Sequence, residues 1–258
     1  MLFQVLDAKA DCVGFYAANI INPTPILPTE GATWEYSHHL PGDHYDIGRI
    51  YSQGAALTDV CPEDMKADWE EIKKTLKSCL KAFRTSHLSL DENCFYDVLP
   101  EFFLYQYLEA KNKITGHVLE TYPRPENYDF MYNLVEMLSS IRSQTVSVDI
   151  NPIKHLLSSV RGMNFHRTLQ TVNHVCDYNP WGTITGRLST NPNSLPILTM
   201  NKEFRACIKP KNDWFVELDF NAAELRTLIA LTGEEQPQID IHEWNRKNIY
   251  RNIGSRED

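Results

Sequence analysis

The stretch at residues 214–230 reads WFVELDFNAAELRTLIA, and its hydrophobic pattern changes in the middle. Residues 214–219 are rich in aromatic and aliphatic side chains, and they predict a strand that ends at Asp219. The run from Ala222 to Leu231 consists mostly of strong helix formers and predicts a helix. This stretch therefore predicts that β and α structure are mixed in this part of the chain.

Asp219 stands where the predicted strand meets the predicted helix. An ionised carboxylate at a buried position is costly unless a cation or hydrogen bonds compensate for the lost water. A divalent metal is one such partner, and Mg²⁺ prefers hard oxygen ligands. The free N–H groups of the following helix are another, because aspartate is a common N-cap residue. The segment alone leaves both interpretations open.

Polar segments lie on both sides of this stretch. Upstream, the runs TGRLS at 185–189 and NPN at 191–193 predict turns that present the cation of Arg187 among hydroxyl and amide groups. Downstream, Asp240 predicts a helix N-cap, which places His242 in the first helical turn. A histidine at the positive end of a helix dipole either contacts an anionic phosphate or has a structural role.

Residues 62–142 have a helical period. Pro62-Glu63-Asp64 predicts a helix start, and further helices are expected at about 98–121 and 126–142. The first helix has an apolar stripe on one face and a row of cations on the other. These cations form either a solvated surface or a row of contacts to a phosphate backbone. The residues expected to be buried are Met65, Trp69, Ile72, Leu76, Leu80, Phe83, Phe102, Phe103, Tyr105, Leu108, Phe130, Leu134, Met137 and Ile141, and the cations are Lys66, Lys73, Lys77, Lys81 and Arg84.

The composition is ordinary for a globular protein. The 258 residues carry a formal net charge of −9, with 42% hydrophobic and 23% charged residues, which disfavours a disordered chain or a generic polyanion binder. No run approaches the length of a membrane span, and the first residues lack the features of a signal peptide, so a cytoplasmic location without membrane association is expected. The cysteines show no metal-ligand spacing and predict reduced thiols, and the histidines at 38, 39 and 44 are either surface groups or metal ligands.

Four motifs follow one another within about 60 residues. They are TGRLS at 185–189, RACIKP at 205–210, Asp219 with ELR at 224–226, and DIH at 240–242. Their order and spacing resemble those of the motifs in family A DNA polymerases, and the sequence FNAAELR at 220–226 is similar to that of the short phage-type members. The resemblance implies an α+β fold with the right-hand polymerase architecture: a helical thumb, part of an antiparallel-sheet palm, and fingers that are truncated at their start.

The resemblance also implies roles for individual residues. Asp219 would be the catalytic carboxylate that binds two Mg²⁺ ions, together with the backbone carbonyl of Phe220. These ions assist an in-line phosphoryl displacement in which a dNTP is added to a primer on template DNA. Nucleotide-binding roles fall on Phe220, Glu224 at the sugar, His242 at the triphosphate and Arg205, and DNA-binding roles on Arg187 in the minor groove, Asn193, Thr185, Lys73, Lys77 and Lys81.

The resemblance predicts three regions and a partner. Residues 1–60 are expected to be β-rich without a working exonuclease, 61–145 thumb-like, and 146–258 a palm portion with the first fingers helix. Gly254 predicts a helix C-cap, and 255–258 read as the start of another helix. The rest of the fingers and a second catalytic aspartate are not found after this point, so we expect a second polypeptide to supply them. In a phage, the location would be the host cytoplasm.

Two other functions compete with this expectation. A non-catalytic DNA-binding or regulatory remnant of a polymerase would keep the thumb and palm but would not need a metal-binding acid beside a sugar contact. A hydrolase that uses Asp219 and His242 alone lacks a second acid at short spacing. The bacterial motif also has glutamine where Ala222 stands, which puts one polar contact near the nucleotide in doubt.

Overall fold

The computed structural model describes residues 1–7, 12–88, 90 and 93–249. The chain divides into two compact units, Met1–Lys211 and Asn212–Asp258. Both helices and short sheets are present, which confirms the α+β class. The C-cap expected at Gly254 and the helix start expected at 255–258 lie outside the described residues.

The first unit begins with two small sheets. Strands β1 (Phe3–Asp7), β2 (Cys12–Ala17) and β3 (Ile20–Asn22) form an antiparallel sheet in that order. Strands β4 (Gly31–Thr33) and β5 (Tyr45–Ile47) pair in parallel, with Gly31 opposite Tyr45. The short helix α1 (Gly48–Tyr51) follows β5 directly. All five of these strands lie within residues 1–60.

Long helices dominate the middle of the first unit. Helices α2 and α4 each span about six turns, and α5 spans about four, at 3.6 residues per turn. The three long helices start within four residues of the predicted positions, and α4 and α5 end at the predicted residues, so these predictions are confirmed. The helices are α2 (Lys66–Thr85), α3 (Phe95–Val98), α4 (Glu101–Thr121) and α5 (Tyr128–Arg142).

The strand-rich and helical parts of the first unit share their hydrophobic cores. Phe3 and Ile47 pack with Tyr128 and Tyr132 of α5, and a second cluster joins β1 and β2 to α4. Trp69 of α2 is buried in a third cluster with Ala110, Ile114 and Val118 of α4. The expected boundaries near residues 60 and 145 stay predictions, but these cores cross the first of them.

A fourth core lies in residues 146–208 of the same unit. Ile153, Leu195 and Cys207 are fully buried there, and the rings of Phe165 and Phe204 stack with centroids 4.4 Å apart. Two antiparallel strand pairs cross this region, β6 (Ser147–Val148) with β9 (Ile208–Lys209) and β7 (Tyr178–Asn179) with β8 (Ser189–Thr190). The helical segments of this region are α6 (Val160–Thr171) and 3₁₀ helices at Asn151–Leu156 and Lys202–Cys207.

The second unit contains two helices, α7 (Ala223–Thr232) and α8 (Ile241–Asn248). Gly233 ends α7 in the left-handed conformation with φ 75°, which glycine adopts without steric cost. The helix predicted from Ala222 to Leu231 is therefore confirmed. None of the described helices in either unit is long and apolar enough to cross a membrane.

The sequence predicted the wrong buried faces for parts of α4 and α5. Phe102 is 76% exposed, Phe130 66% and Met137 50%, whereas Tyr128, Tyr132 and Leu138 are the buried residues of α5. The reason for the error in α5 is that tyrosine can be buried when its hydroxyl finds a partner. Here the Tyr128 hydroxyl accepts from Ile47 N at 2.8 Å and donates to Tyr45 O at 2.8 Å.

Adjacent phenylalanines on α4 test this assignment. Phe103→Ala is expected to lower the free energy of unfolding by about 3–5 kcal/mol, because its ring lies in the core. Phe102→Ala serves as the matched control and should change it by less than about 1 kcal/mol, since the ring is exposed. Urea unfolding followed by circular dichroism measures both, and equal losses would show that the face is assigned wrongly.

Candidate functional site

The segment at 214–220 lacks the predicted strand. It runs as an irregular segment and is exposed throughout, with Trp214 at 83%, Val216 at 81% and Leu218 at 90%. A β-strand requires a hydrogen-bonded neighbour, and no described residue pairs with this segment. The prediction of a strand at 214–219 was therefore wrong for this structure, although the composition of the segment favours β structure.

Asp219 is exposed and does not cap the following helix. The N-cap position of α7 is Ala222, which has φ 50° and no side-chain hydrogen bond. The capping interpretation of Asp219 is thus wrong, and its carboxylate oxygens face solvent. Carboxylate and carbonyl oxygens are the ligand types that Mg²⁺ takes, so Asp219 and the carbonyl of Phe220 fit a magnesium site by donor type.

A complete metal site is not assembled by the residues described. Within those ranges there is no group of three or more histidine, cysteine, aspartate or glutamate side chains that could hold a metal ion. Of the histidines considered in the sequence, His44 lies 3.1 Å from Asp43, and the rings of His38 and His39 are 3.9 Å apart. Mg²⁺ commonly keeps several water ligands and needs few carboxylates. The fit of Asp219 to a magnesium site therefore depends on its donor type and not on a cluster of three ligands.

The first turns of α7 and α8 carry the two residues expected at the nucleotide. Glu224 lies in the first turn of α7, and His242 lies in the first turn of α8, and both side chains are exposed. Asp240 caps α8 as predicted, because its Oδ1 accepts from the N–H groups of His242 at 3.0 Å and Glu243 at 3.1 Å. Asp219, Phe220, Glu224 and His242 are therefore all exposed within one unit.

An ion-pair network links Glu243 to two cations further along α8. Glu243 accepts hydrogen bonds from Arg246 at 2.9 and 3.0 Å, and Lys247 Nζ lies 3.2 Å from its carboxylate. The hydrogen bonds from Arg246, followed by that from Lys247, lower the pKa of Glu243 to about 2. These cations lie in the last turn of α8, where they also interact favourably with the negative end of the helix dipole.

The predicted DNA-contacting segment forms the tip of a hairpin in the first unit. Strands β7 and β8 pair at its base, and the tip carries the exposed Thr185 and Arg187. The turn prediction is confirmed, since Gly186 has φ 73° and the Thr183 hydroxyl donates to Arg187 O at 2.7 Å. Beyond the hairpin, the exposed Asn193 has φ 65°, in the left-handed region that asparagine tolerates.

Arg205 and the lysines of α2 are also in the first unit. Arg205 is exposed on the 3₁₀ helix at Lys202–Cys207. On α2, Lys77 and Lys81 are exposed, and within the described part of the chain they have no ion-pair partner. Lys73 instead lies 2.7 Å from Glu70. The cation face is therefore present on α2, but two of its predicted members, Lys66 and Lys73, pair with glutamates three residues before them.

A cavity that the sequence did not indicate lies beside the base of the hairpin. It measures about 110 Å³ and is lined by residues from β5, α1, α5 and β7. Arg142 of α5 lies 3.7 Å from Asp177, which also accepts from Asn191 at 3.0 Å, and the Arg49 guanidinium lies 5.1 Å from the centre of the Trp181 ring. These groups come from distant parts of the sequence, so no local motif could have predicted the arrangement.

The sequence also missed the hydrogen bonds that join the starts of α7 and α8. The ELR motif contains Arg226 but indicates no such contact for it, and no motif indicates a role for Asn221. In the structure the Arg226 guanidinium donates to Asn221 O at 2.9 Å, and Asn221 Nδ2 donates to Asp240 Oδ2 at 2.6 Å. The polar character of Asn221 next to a helix start was the available signal.

Comparison with known proteins adds no assignment: no family model, curated protein or solved structure matches this chain.

The lowered pKa of Glu243 predicts a pH dependence of α8. Because the folded-state pKa of about 2 lies below the ordinary value of 4.5, the stabilisation is complete above pH 4.5 and is lost as pH falls towards 2. The protection factors of the α8 amides, measured by NMR hydrogen exchange and corrected for the intrinsic exchange rate at each pH, should therefore fall over this range. Glu243→Gln should remove the dependence, whereas Glu235→Gln, a change of an exposed loop residue, should leave it intact. An unchanged profile in the Glu243 variant would contradict the role of the network.

Proposed function

We propose that this chain is the N-terminal part of a template-directed, family A-like DNA polymerase. It adds dNTPs to a primer by two-metal phosphoryl transfer and works together with a second polypeptide that carries the rest of the fingers and palm. The observation that carries the proposal is the exposed Asp219, which is neither buried in a core nor used as a helix cap. Four co-linear motifs in the sequence support the same conclusion.

The right-hand architecture is part of this proposal. Helices α2, α4 and α5 are assigned to the thumb, and the segments from β6 to α7 to the palm. Helix α8 is then the first fingers helix, with its N-terminal turn towards the nucleotide. Support comes from the helical content of 66–142 and from the short antiparallel strand pairs that follow it.

The chain's own residues have distinct tasks in the proposed reaction. The carboxylate of Asp219 and the carbonyl of Phe220 would hold Mg²⁺, which supplies Lewis-acid stabilisation of the attacking and leaving oxygens. Glu224 lies against the sugar and disfavours a 2′-hydroxyl there, and His242 donates to the triphosphate. Arg205 also binds the incoming nucleotide. The side chains of Asp219, Glu224, His242 and Arg205 are exposed, as contact with a metal ion or a nucleotide requires. Phe220 contributes through its backbone carbonyl.

The DNA contacts in this proposal use two surfaces of the first unit. Arg187, with Thr185 and Asn193 nearby, reads the minor groove at the primer end, where the acceptors report duplex shape more than sequence. Lys77 and Lys81, with Lys73 beside them, follow the phosphate backbone along α2. Lys77 and Lys81 are exposed and, within the residues described, have no ion-pair partner. This favours contacts to DNA over ion pairs within the chain.

Primer extension tests the catalytic assignment. The chain is mixed with the polypeptide encoded next to it, a labelled primer–template, dNTPs and Mg²⁺. Asp219→Asn is expected to lower extension at least about a hundredfold, because it removes a charge that the metal ions require. Asp213→Asn is the matched control, since this aspartate is exposed in the same segment, and it should extend at the unaltered rate.

The outcomes separate polymerase from remnant. Extension that survives Asp219→Asn would overturn the catalytic assignment. Primer–template binding without extension, in every pairing with the neighbouring polypeptide, would favour the non-catalytic DNA-binding or regulatory remnant.

Salt dependence tests the α2 surface separately. Lys77→Ala/Lys81→Ala should weaken primer–template binding and reduce the steepness of the log Kd against log[salt] plot by about 1.8, since each phosphate contact contributes about 0.9. The control is Lys113→Ala/Lys154→Ala, in which both lysines are exposed but lie outside α2. Fluorescence anisotropy at several salt concentrations measures both. Equal slopes for the two double variants would assign the lysines of α2 to a solvated surface.

A further inference from the structure

The Arg226 side chain makes most of its hydrogen bonds to backbone carbonyl oxygens, and it also donates to the side-chain Oδ1 of Asn221 at 3.4 Å. It donates to the carbonyl oxygens of Asn221 at 2.9 Å, Pro237 at 2.9 Å and Ile239 at 3.1 Å. In return, Gln236 Nε2 donates to Arg226 O at 2.9 Å. Among the described residues, no carboxylate forms a salt bridge with this guanidinium. Arg226 therefore connects the loop between α7 and α8 to the first turn of α7 through hydrogen bonds.

Asn221 continues this connection to the start of α8. Its Nδ2 donates to Asp240 Oδ2 at 2.6 Å, and its Oδ1 accepts from Ile241 N at 3.3 Å. The other carboxylate oxygen of Asp240 caps α8. Asn221, which immediately precedes the N-cap of α7, is thus hydrogen-bonded through its side chain to the N-cap of α8.

The backbone between these contacts is strained. Ala222 has φ 50° and ψ 57°, a left-handed conformation that is unfavourable for a residue with a Cβ atom. Such a conformation persists where the surroundings hold it. The hydrogen bond from Arg226 to Asn221 O and those from the Asn221 side chain fix the residue immediately before Ala222, and the hydrogen bond from Arg226 N to Ala222 O at 3.0 Å begins the helix.

We propose that Arg226 and Asn221 are positioning residues that set the first turn of α7 relative to the first turn of α8. This inference rests on the proposed polymerase function, in which these turns carry Glu224 at the sugar and His242 at the triphosphate. Neither Arg226 nor Asn221 needs to touch the nucleotide. Their effect is to hold the sugar contact and the phosphate contact at the separation that a deoxynucleotide requires.

Single-nucleotide incorporation tests the inference in the reconstituted pair of polypeptides. Arg226→Lys keeps the charge but loses the planar fork that reaches several carbonyl groups, and Asn221→Ala removes the link to Asp240. Both should raise KM for the dNTP about tenfold, with a smaller change in kcat, and should reduce the preference for dNTP over rNTP. Asn221→Ser, which keeps a short donor, should recover part of the preference. Arg246→Lys, in the same unit but outside these contacts, is the matched control.

Amide hydrogen exchange supplies the structural readout. The N–H groups of His242 and Glu243 should exchange about tenfold faster in Arg226→Lys and Asn221→Ala, because the cap that binds them is less firmly held. Amides of β1, β2 and α4 in the same sample show whether the first unit remains folded. Unchanged exchange in the first turn of α8 would overturn the inference.

The two failures are distinguishable. If the unaltered pair extends the primer but Arg226→Lys and Asn221→Ala leave KM and sugar preference unchanged, the positioning inference is overturned and the proposed function stands. If the unaltered pair does not extend any primer, the proposed function is overturned, and the positioning inference falls with it.

Discussion

The hydroxyl of Tyr128 is the contact on which the first unit most depends. It is buried between α5 and β5, where it accepts from Ile47 N and donates to Tyr45 O. Burial raises the pKa of this phenol, so the hydroxyl stays protonated and can donate. Removing it would leave the amide of a buried strand residue and a carbonyl oxygen without this partner, and such unpaired groups cost about 1–3 kcal/mol each. The aromatic core of β1, β5 and α5 is built around this bridge.

The second unit is held together in a different way. Apart from Ile241, its described residues include no hydrophobic side chain that is fully buried. Hydrogen bonds from Arg226 and Asn221 to the backbone and to Asp240 therefore supply much of its internal order. Hydrogen bonds that involve a guanidinium or a carboxylate are charge-assisted, and they are stronger than those between neutral groups. This unit is consequently held by polar geometry more than by apolar burial.

The sequence predicted the long helices and the Asp240 cap of α8 well because these depend on local chemistry. Pro62 with its acidic neighbours marks the start of α2, and Asp240 caps α8 through its own side chain, so neither needs distant residues. The stripe of α2 was also correct, since Trp69 is buried and Ile72 packs against two cores. Helical period and cap residues are properties of a single segment, and a single sequence is enough to find them.

The errors occurred where distant residues decide the outcome. The apolar run at 214–219 has strand composition, but a ladder needs a second strand, which no described residue supplies. The burial of Tyr128 in place of Phe130 depends on backbone groups of β5 that lie some 80 residues away. For the candidate site, the motifs located Glu224 and His242 at helix starts, whereas the roles of Asn221 and Arg226 depend on the loop that returns to α8.

Net charge and nucleic-acid binding are compatible here because electrostatic interactions are screened over short distances. A chain with a net charge of −9 repels a duplex on average. At physiological ionic strength, however, exposed charges interact mainly within about 8 Å. Helix α2 is about 30 Å long at 1.5 Å per residue, so a phosphate near Lys77 and Lys81 experiences those cations and little of the acidic surface elsewhere. The distribution of charge along α2, and not its sum over the chain, therefore determines whether this surface can bind DNA.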